Sequence, residues 1–443
     1  MNFLQFFVWG AWLITIGAYW FQNKQWSGAE FGVIFSTMGI SSLFMPSIAG
    51  IIADKWVNAE KLYGIFHICG AIVLFMIPKV GNPSTFFWVI LLNMIFYMPT
   101  ISLSIAVAYS ALKKQGLDVV KNYPPIRVWG TIGFIVALWV VSLLHFETSS
   151  NQFYVASAAA LFLGIYSFTL PKCPPQLGRK QSKSIIDALG LTSFSLFKNS
   201  KMAIFFIFAM LLGAALQLTN AYGDTFIHDF AKVDSYKSLT LIQYDTVKWE
   251  TIWDIPSYLY KLLQISAMKY PAIIMSISQI SETLFILAIP FFLRKFGIKK
   301  VMVISMLAWV LRFGLFAYGN PADGLWMIVL SCIVYGMAFD FFNISGSLFV
   351  ETQADPAIRA SAQGLFMMMT NGVGAVLGSS LSGLIIQKYF TYADQSKDWH
   401  GIWITFASYA LVVAALFIVL FKHKHIATAR EIDKAETIEM TPR

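Results

Sequence analysis

Apolar runs fill almost the whole chain, and they limit the folds that it can adopt. A helix needs about 20 consecutive apolar residues to cross a bilayer. Runs long enough to do so occur near 3–22, 30–53, 61–79, 84–111, 126–146, 151–170, 202–223, 271–293, 300–319, 323–350, 359–390 and 401–421, and we number them as spans 1 to 12. The sequence therefore predicts an all-α membrane protein with twelve transmembrane helices.

The composition agrees with this interpretation and excludes several kinds of function. Only 12% of the residues are charged and 57% are hydrophobic, whereas about a quarter of the residues in a soluble domain are charged. The net charge of +9 does not indicate nucleic-acid binding, because Lys and Arg collect in the cytoplasmic loops of membrane proteins. The sequence offers no Cys or His spacing typical of metal sites, no Gly-rich phosphate loop, and no Ser-His pair, Asp dyad or HExxH motif. We therefore expect no metal, no cofactor, no use of ATP and no enzyme activity.

Basic residues predict how the chain is oriented. They concentrate in the connections that follow even-numbered spans, above all between spans 6 and 7, which are joined by Lys172, Arg179, Lys180, Lys183, Lys198 and Lys201. The positive-inside rule then places this linker and both termini in the cytoplasm. Because an apolar run follows Met1 directly, we expect a first spanning helix rather than a cleaved signal peptide.

Span 8 contains a carboxylate where a membrane helix tolerates one poorly. At mid-depth in a bilayer, Glu282 costs about 2.5–3.5 kcal/mol on insertion scales. Gln279 lies three residues earlier and Ser278 four, so the three side chains share one face of the helix. This face is too polar for lipid and must meet protein or water. We interpret it as one wall of a transport site.

Polar or aromatic stripes on four other spans are candidates for the remaining walls. They are Arg127, Thr131 and Phe134 on span 5, Gln217 and Asn220 on span 7, Arg312 on span 9, and Tyr335, Phe339 and Asn343 on span 10, with Asp340 beside them. Amides and carboxylates can bind the donors and acceptors of a heterocycle or the hydroxyls of a sugar, while phenyl rings can stack on a flat ring. A phosphate would require more cations than two arginines. The stripes therefore favour a neutral, polar, flat ligand.

The order of spans and one loop motif resemble the major facilitator superfamily. Six spans, a basic linker and six more are its usual layout, and Gly50-Ile51-Ile52-Ala53-Asp54-Lys55-Trp56 is similar to its loop motif after span 2. The resemblance implies two six-helix bundles with the site between them. We expect an N-terminal bundle at 1–172, a cytoplasmic linker at 173–200 with an amphipathic helix between Ser184 and Phe197, a C-terminal bundle at 201–425 with an outer loop at 230–270, and a cytoplasmic tail at 426–443.

Longer segments resemble the nucleoside:proton symporter family within that superfamily. They are Pro124-Pro125-Ile126-Arg127-Val128-Trp129-Gly130-Thr131-Ile132-Gly133-Phe134, Gln217-Leu218-Thr219-Asn220, Ser278-Gln279-Ile280-Ser281-Glu282-Thr283-Leu284-Phe285 and Phe339-Asp340-Phe341-Phe342-Asn343-Ile344-Ser345-Gly346. The nucleoside contacts of the family fall on positions matching Arg127, Thr131, Phe134, Gln217, Asn220, Gln279, Glu282, Phe339 and Asp340. The resemblance implies a multi-pass protein of the bacterial inner membrane that imports nucleosides with protons by alternating access. We expect it to work as a monomer in the lipid bilayer.

Two other interpretations stay open. The pattern of Arg127, Gly130, Gly133 and Phe134, together with Arg312, also resembles proton-coupled sugar symporters of the lactose-permease type, although spans 9 and 10 contain no His. A receptor that binds the ligand without moving it is the second.

Coupling to protons needs a buried carboxylate, and either acid could supply it. We expect Glu282 to hold the ligand through a charge-assisted hydrogen bond, because it shares a face with Gln279. Asp340 is then the coupling group, exchanging Arg312 for a proton. An ion pair between Arg312 and either acid could equally be structural.

Overall fold

The computed structural model describes residues 1–117, 119–175, 191–230, 233, 236, 255–354 and 359–422, and within these ranges the fold is built from helices. Spans 1 to 6 consist of Asn2–Gly10 followed by Ile16–Ala18 and a π-helix Tyr19–Lys24, then Gly28–Lys55, Ala59–Met76, Pro83–Lys114, Val119–Leu143 and Asn151–Ser167. No strand forms in the ranges given, where Thr391 and Lys397 make an isolated β-bridge.

The second half of the chain begins with Ser200–Phe230 as span 7. A helix at Ile255–Lys269 and a short one at Pro271–Met275 precede Ile277–Tyr318, which contains spans 8 and 9. Leu325–Gln353 is span 10, Arg359–Met367, a π-helix Met368–Gly374 and Ala375–Tyr389 together form span 11, and Trp399–Leu420 is span 12.

Spans 8 and 9 are separated by a glycine. Gly297 has φ 74° and ψ 167°, a backbone conformation outside the helical region. A side chain disfavours positive φ, so glycine is suited to the turn between the two spans. Nine helical stretches in the described ranges are long and apolar enough to cross a membrane. Dividing Pro271–Tyr318 at Gly297 and adding the broken span 1 and the 17-residue span 6 gives the predicted twelve.

The spans form two groups, and the groups meet along spans 2 and 11. Spans 1 to 6 pack mainly on one another, as do spans 7 to 12. A Cβ at Gly32 would lie 2.7 Å from the Cα of Gly383, and one at Gly39 would lie 2.6 Å from the carbonyl oxygen of Gly372. Glycine therefore permits the backbones of the two groups to touch. A Cβ at Gly50, on the same face of span 2, has nothing within 4 Å.

This difference distinguishes the two ends of the molecule. We call the end with Lys55 and Ser200 the linker face, and the end with Leu143 and Phe230 the loop face. Contacts that join the groups lie towards the loop face: the Gly28 backbone N–H donates to Gln387 (2.9 Å), and the Trp139 indole donates to the Ser276 hydroxyl (2.9 Å). The two groups are therefore closed against each other at the loop face.

A buried polar network fixes spans 1, 3 and 4 together. The Gln5 side-chain oxygen accepts from the Tyr63 hydroxyl at 2.7 Å and lies 2.8 Å from His67 Nε2. The Gln5 amide donates to Thr100 Oγ1 at 2.8 Å, and the Tyr97 hydroxyl donates to the Gln5 backbone carbonyl at 2.7 Å. All five residues are buried. We call them the Gln5 network.

Part of the predicted domain plan lies outside the described residues. Of the amphipathic helix expected between Ser184 and Phe197, the structure describes only a 3₁₀-helix at Leu191–Lys198, where the Phe194 and Phe197 rings stack at 5.9 Å. The tail at 426–443 and most of the outer loop also fall outside. The domain boundaries therefore stay a prediction.

Candidate functional site

Arg127 is held on span 5 by a ring from span 1. Its guanidinium carbon lies 4.1 Å from the centre of the Phe6 ring, a favourable cation–π arrangement. Gly130, one helical turn later, makes the room for it: a Cβ there would lie 2.6 Å from the Phe6 ring and 2.8 Å from Arg127 Nη1. The spacing of Arg127 and Gly130 thus lets a cation sit at the inner edge of the N-terminal bundle.

The two other members of the span 5 stripe have different surroundings. Phe134 is buried in the hydrophobic core, and its backbone lies against Gly10 of span 1, where a Cβ would come within 2.6 Å of the Phe134 carbonyl oxygen. Thr131 is half-buried. In this structure Phe134 therefore also contributes to the packing of spans 1 and 5.

Close packing of spans 8 and 10 places the two acids on neighbouring helices. A Cβ at Gly336 would lie 2.6 Å from the Ser281 carbonyl oxygen and 2.7 Å from the Glu282 nitrogen, so glycine allows the backbones to touch. The Ser281 hydroxyl donates to the Ile333 carbonyl and fixes the register. Glu282 and Asp340 interact electrostatically with each other and with Arg127. Two carboxylates of the C-terminal bundle and one guanidinium of the N-terminal bundle thus lie within electrostatic range of one another.

Arg312 is held by groups other than these acids. It is fully buried, its Nη1 donates to the Ser331 carbonyl at 2.6 Å, and its Nε lies 3.4 Å from Thr219 Oγ1. Its guanidinium also lies 4.7 Å from the Tyr335 ring centre. Within the described residues no ion pair under 4 Å links Arg312 to a carboxylate. The sequence led us to expect that Asp340 exchanges an ion pair with Arg312 for a proton. The described residues of this structure do not contain that ion pair.

A small cavity between the bundles collects several of the predicted residues. Its lining consists of Ile14, Thr219, Asn220, Met275, Ser278, Gln279, Arg312 and Tyr335. Ser278 Oγ, Gln279 Oε1 and Arg312 Nη2 are buried without an oxygen or nitrogen partner among the described residues, although the Cys332 thiol, a weak hydrogen-bonding group, lies beside Ser278 and Arg312. A buried polar atom without a partner costs about 1–3 kcal/mol. Three such atoms around one cavity indicate a place for a polar ligand, and we call it the central cavity.

Two further unpartnered atoms belong to predicted site residues. Gln217 Oε1 and Asp340 Oδ2 are both buried and accept no hydrogen bond from any residue that the structure describes. Gln217 lies on span 7, one turn before Asn220, and Asp340 lies on span 10, beside Tyr335 and Phe339. Neither residue lines the central cavity, so these two atoms are unpartnered polar groups outside it.

The rest of the span 10 stripe lines a second cavity. Phe339 and Asn343 are there with Trp309, Thr370 and Asn371, among other residues. The Tyr335 and Phe339 rings stack at 5.8 Å, with an angle of 6° between their planes, and so connect the two cavities. Asn343 Nδ2 donates to the Phe339 carbonyl at 3.1 Å, within its own helix.

Sequence reasoning missed several lining residues. Thr219 lies between Gln217 and Asn220 and could have been included from its position alone. Trp309 is an apolar residue among many others in span 9, and Asn371 is an amide in span 11 without a polar neighbour at helical spacing. In the structure Asn371 belongs to a π-helical segment, Met368–Gly374, and such segments are frequent at functional sites. No local pattern in the sequence identifies a π-helix.

Comparisons with known proteins agree with this geometry. The family described as nucleoside H+ symporter matches residues 1–426. The xanthosine permease of Escherichia coli is 51% identical over 426 residues, covering 96% of this chain and 95% of that protein. The nucleoside permease NupG of E. coli is 49% identical over 428 residues, with the same coverage. The maltose permease of Geobacillus stearothermophilus is 21% identical over 388 residues.

Solved structures show the same relationship. The crystal structure of the nucleoside transporter NupG has a TM-score of 0.83 and 49% identity, covering 96% of this chain and 98% of that one. A POT family transporter, at 14% identity and a TM-score of 0.64, shares the fold alone. The predicted fold of two six-helix bundles is confirmed, as is the expectation of a transporter rather than an enzyme. The chain belongs to the nucleoside H+ symporter family.

Proposed function

We propose that this protein imports nucleosides together with protons across the bacterial inner membrane, with its linker face and both termini in the cytoplasm. Family membership supports the substrate class and the coupling ion. The basic residues of the linker support the orientation, since short cytoplasmic connections are rich in Lys and Arg. One chain contains both bundles, so a monomer is sufficient for transport.

The observation that carries the proposal is the unsatisfied polar surface between the bundles. Around the central cavity, Ser278 Oγ, Gln279 Oε1 and Arg312 Nη2 offer a hydroxyl, an acceptor and a donor that no described oxygen or nitrogen atom pairs with. A nucleoside has complementary groups, because its base carries N–H and C=O edges and its ribose carries hydroxyls. An apolar ligand has no donor or acceptor and would leave all three atoms without a hydrogen bond.

The charges favour a neutral ligand over a phosphorylated one. Arg127 faces Glu282 and Asp340, so two carboxylates stand near one guanidinium. A nucleotide phosphate would be repelled by the acids, whereas a neutral nucleoside can bind to them through its N–H and O–H donors. We propose Arg127, Thr131, Phe134, Gln217, Asn220, Gln279, Glu282, Tyr335, Phe339, Asp340 and Asn343 as the binding residues.

Coupling is assigned to the pair of acids, with Asp340 as the proton carrier and Glu282 as the ligand holder. Arg312 is held by Ser331, Thr219 and the Tyr335 ring, so it serves to position the site. Arg127 is the arginine that interacts with both acids, and it comes from the opposite bundle. Protonation of Asp340 would weaken its attraction to Arg127 and allow the bundles to rearrange.

Closure at the loop face supports an inward-facing state. The groups touch at Gly32 and Gly383, while Gly50 near the linker face has no neighbour within 4 Å of an added Cβ. In alternating access the opposite closure must also form. The loop-face contacts are therefore expected to break once in every transport cycle.

Uptake measurements test the proposal. Tritiated uridine or adenosine should accumulate in cells that express the protein, and excess unlabelled nucleosides should compete where lactose does not. Accumulation should collapse with a protonophore and persist without sodium. Competition by lactose alone would favour a sugar symporter, and undiminished concentrative uptake under a protonophore would exclude proton coupling. Counterflow in proteoliposomes separates a transporter from a receptor, since a receptor moves no label.

A further inference from the structure

Three potential metal ligands meet at the loop face, away from the central cavity. Glu147 lies in the connection between spans 5 and 6, and Asp224 and His228 lie four residues apart on one face of span 7. His228 Nε2 is 2.8 Å from Glu147 Oε2 and 3.5 Å from Asp224 Oδ2. One ligand atom of each residue lies within 4.8 Å of the other two. We call these residues the loop-face cluster.

Asp224 is the unusual member of the cluster. It is 0% exposed, and neither of its carboxylate oxygens accepts a hydrogen bond from a described residue. Glu147 is 4% exposed and accepts a hydrogen bond from the Ala272 backbone N–H at 3.3 Å. With both carboxylates ionised, the cluster carries a charge of −2, or −1 if the imidazole is protonated. Buried charge of this kind is paired, neutralised by a proton or bound to a metal ion.

We propose that the loop-face cluster is a zinc site. Imidazole nitrogen and carboxylate oxygens are both ligands of Zn²⁺, and three protein ligands leave a fourth position of the tetrahedron open. Bonds of about 2.0–2.1 Å in a tetrahedron separate the ligand atoms by about 3.3 Å. The 2.8 and 3.5 Å separations lie on either side of this value, so small side-chain rotations would complete the site. An imidazole ligand favours Zn²⁺ over Mg²⁺ and Ca²⁺, which prefer oxygen.

Because of where the cluster lies, a bound ion would affect transport. Glu147 belongs to the N-terminal bundle, whereas Asp224 and His228 belong to the C-terminal bundle. A bound ion would therefore connect the two bundles at the face that is closed here. This consequence rests on the proposed function, because the connection matters only if the bundles must separate at the loop face. Zn²⁺ supplied at this face should then inhibit the transport cycle.

Calorimetric titration of the full-length, tag-free protein with ZnCl₂ tests the site directly. We expect saturable binding of one ion per chain and none with MgCl₂. Loss of an outer-shell partner alone costs about 10–100-fold in metal affinity, so Glu147→Gln, Asp224→Asn and His228→Gln should each weaken Zn²⁺ binding by at least that much. His400→Gln, at the same face but outside the cluster, is the matched control. Replacing His423 and His425 by Ala removes the two histidines near the C-terminal end of the chain and should leave Zn²⁺ binding unchanged.

Thermal unfolding keeps the test valid if a variant folds poorly. Zn²⁺ should raise the Tm of the wild-type protein and of His400→Gln, because a ligand that binds only the folded state stabilises it. It should leave the Tm of Asp224→Asn unchanged. The proposal is overturned if Zn²⁺ neither binds nor raises the Tm of the wild type, or if all three cluster variants bind Zn²⁺ as the wild type does.

Exchange of labelled uridine in proteoliposomes tests the effect on transport. Zn²⁺ added to the solution that bathes the loop face should slow exchange severalfold in the wild type. The same addition should leave the exchange rate of Asp224→Asn unchanged. Equal exchange with and without Zn²⁺ in a wild type that binds the ion would overturn the inhibitory effect. If the wild type binds Zn²⁺ but exchanges no nucleoside at all, the proposed function fails while the zinc site stands.

Discussion

Two buried polar clusters of this protein differ in how completely their groups are paired. In the Gln5 network, the side chains of Gln5, Tyr63, Tyr97 and Thr100 all take part in hydrogen bonds of 2.6 to 2.8 Å. Around the central cavity, a hydroxyl, an amide oxygen and a guanidinium nitrogen have no oxygen or nitrogen partner among the described residues. Both clusters lie within membrane-spanning helices, and both are polar. They differ because the groups of the Gln5 network are paired with one another, whereas those around the central cavity need hydrogen-bond partners from a ligand.

The difference separates a structural role from a binding role. A buried network in which each member is satisfied makes a core rigid and specific, whereas a half-satisfied network is costly. The cost at the central cavity is tolerable if a ligand supplies the missing partners during each cycle. A structural cluster should therefore affect stability when it is changed, and a binding cluster should affect affinity or transport.

The largest effect is expected at Asp340. An Asn mimics the protonated acid, so Asp340→Asn should abolish concentrative uptake while exchange of labelled nucleoside persists, measured in proteoliposomes with and without a proton gradient. Asp394→Asn, which replaces an exposed acid, is the matched control and should transport normally. If Asp340→Asn loses binding outright while Glu282→Gln binds normally without concentrating substrate, the roles of the two acids are reversed.

A smaller effect is expected at Glu282, on binding. A charge-assisted hydrogen bond contributes about 1.5–3 kcal/mol, so Glu282→Gln should raise the Kd for uridine by about tenfold or more. Calorimetry measures it, with the exposed Glu351→Gln as control. The Tm should change little, because Glu282 has no hydrogen bond to lose among the described side chains. An unchanged Kd would remove Glu282 from the binding site.

The smallest effect is expected in the Gln5 network. Tyr63→Phe removes the hydroxyl that donates to the Gln5 side chain at 2.7 Å, and a single hydrogen bond contributes about 0.5–1.5 kcal/mol. The variant should unfold at a lower temperature and bind uridine with an unchanged Kd. Tyr392→Phe, at an exposed position, should change neither. A clear loss of affinity in Tyr63→Phe would mean that the network belongs to the binding site.

The sequence predicted the features that depend on local pattern. The spans follow from runs of apolar residues, and the shared face of Glu282, Gln279 and Ser278 follows from helical spacing. The family followed from segments that are distinctive in themselves. These features need no knowledge of what packs against each helix.

The sequence did not predict the features that depend on tertiary contacts. Arg312 donates to the Ser331 carbonyl and lies over the Tyr335 ring. A backbone carbonyl and a ring are not recognisable in a sequence as partners of an arginine, whereas an acid is. The π-helices Tyr19–Lys24 and Met368–Gly374 depend on packing between spans. The loop-face cluster joins span 7 to Glu147, which is distant in the chain, so the local spacing of ligand residues does not reveal it.

One pair of variants tests the central claim most directly, because it makes the same substitution in both clusters. Gln5→Met and Gln279→Met each replace an amide by an apolar side chain of similar length, and each variant is measured for its Tm and for its Kd for uridine. We predict that Gln5→Met lowers the Tm and leaves the Kd unchanged, since it leaves the partners of Gln5 buried and unpaired. Gln279→Met should keep or raise the wild-type Tm, because it removes a buried unpartnered amide oxygen. It should bind uridine about tenfold or more weakly, as expected for a lost bond of about 1.4 kcal/mol. A Gln279→Met variant that binds uridine as tightly as the wild type would contradict the assignment of the unsatisfied cluster as the nucleoside site.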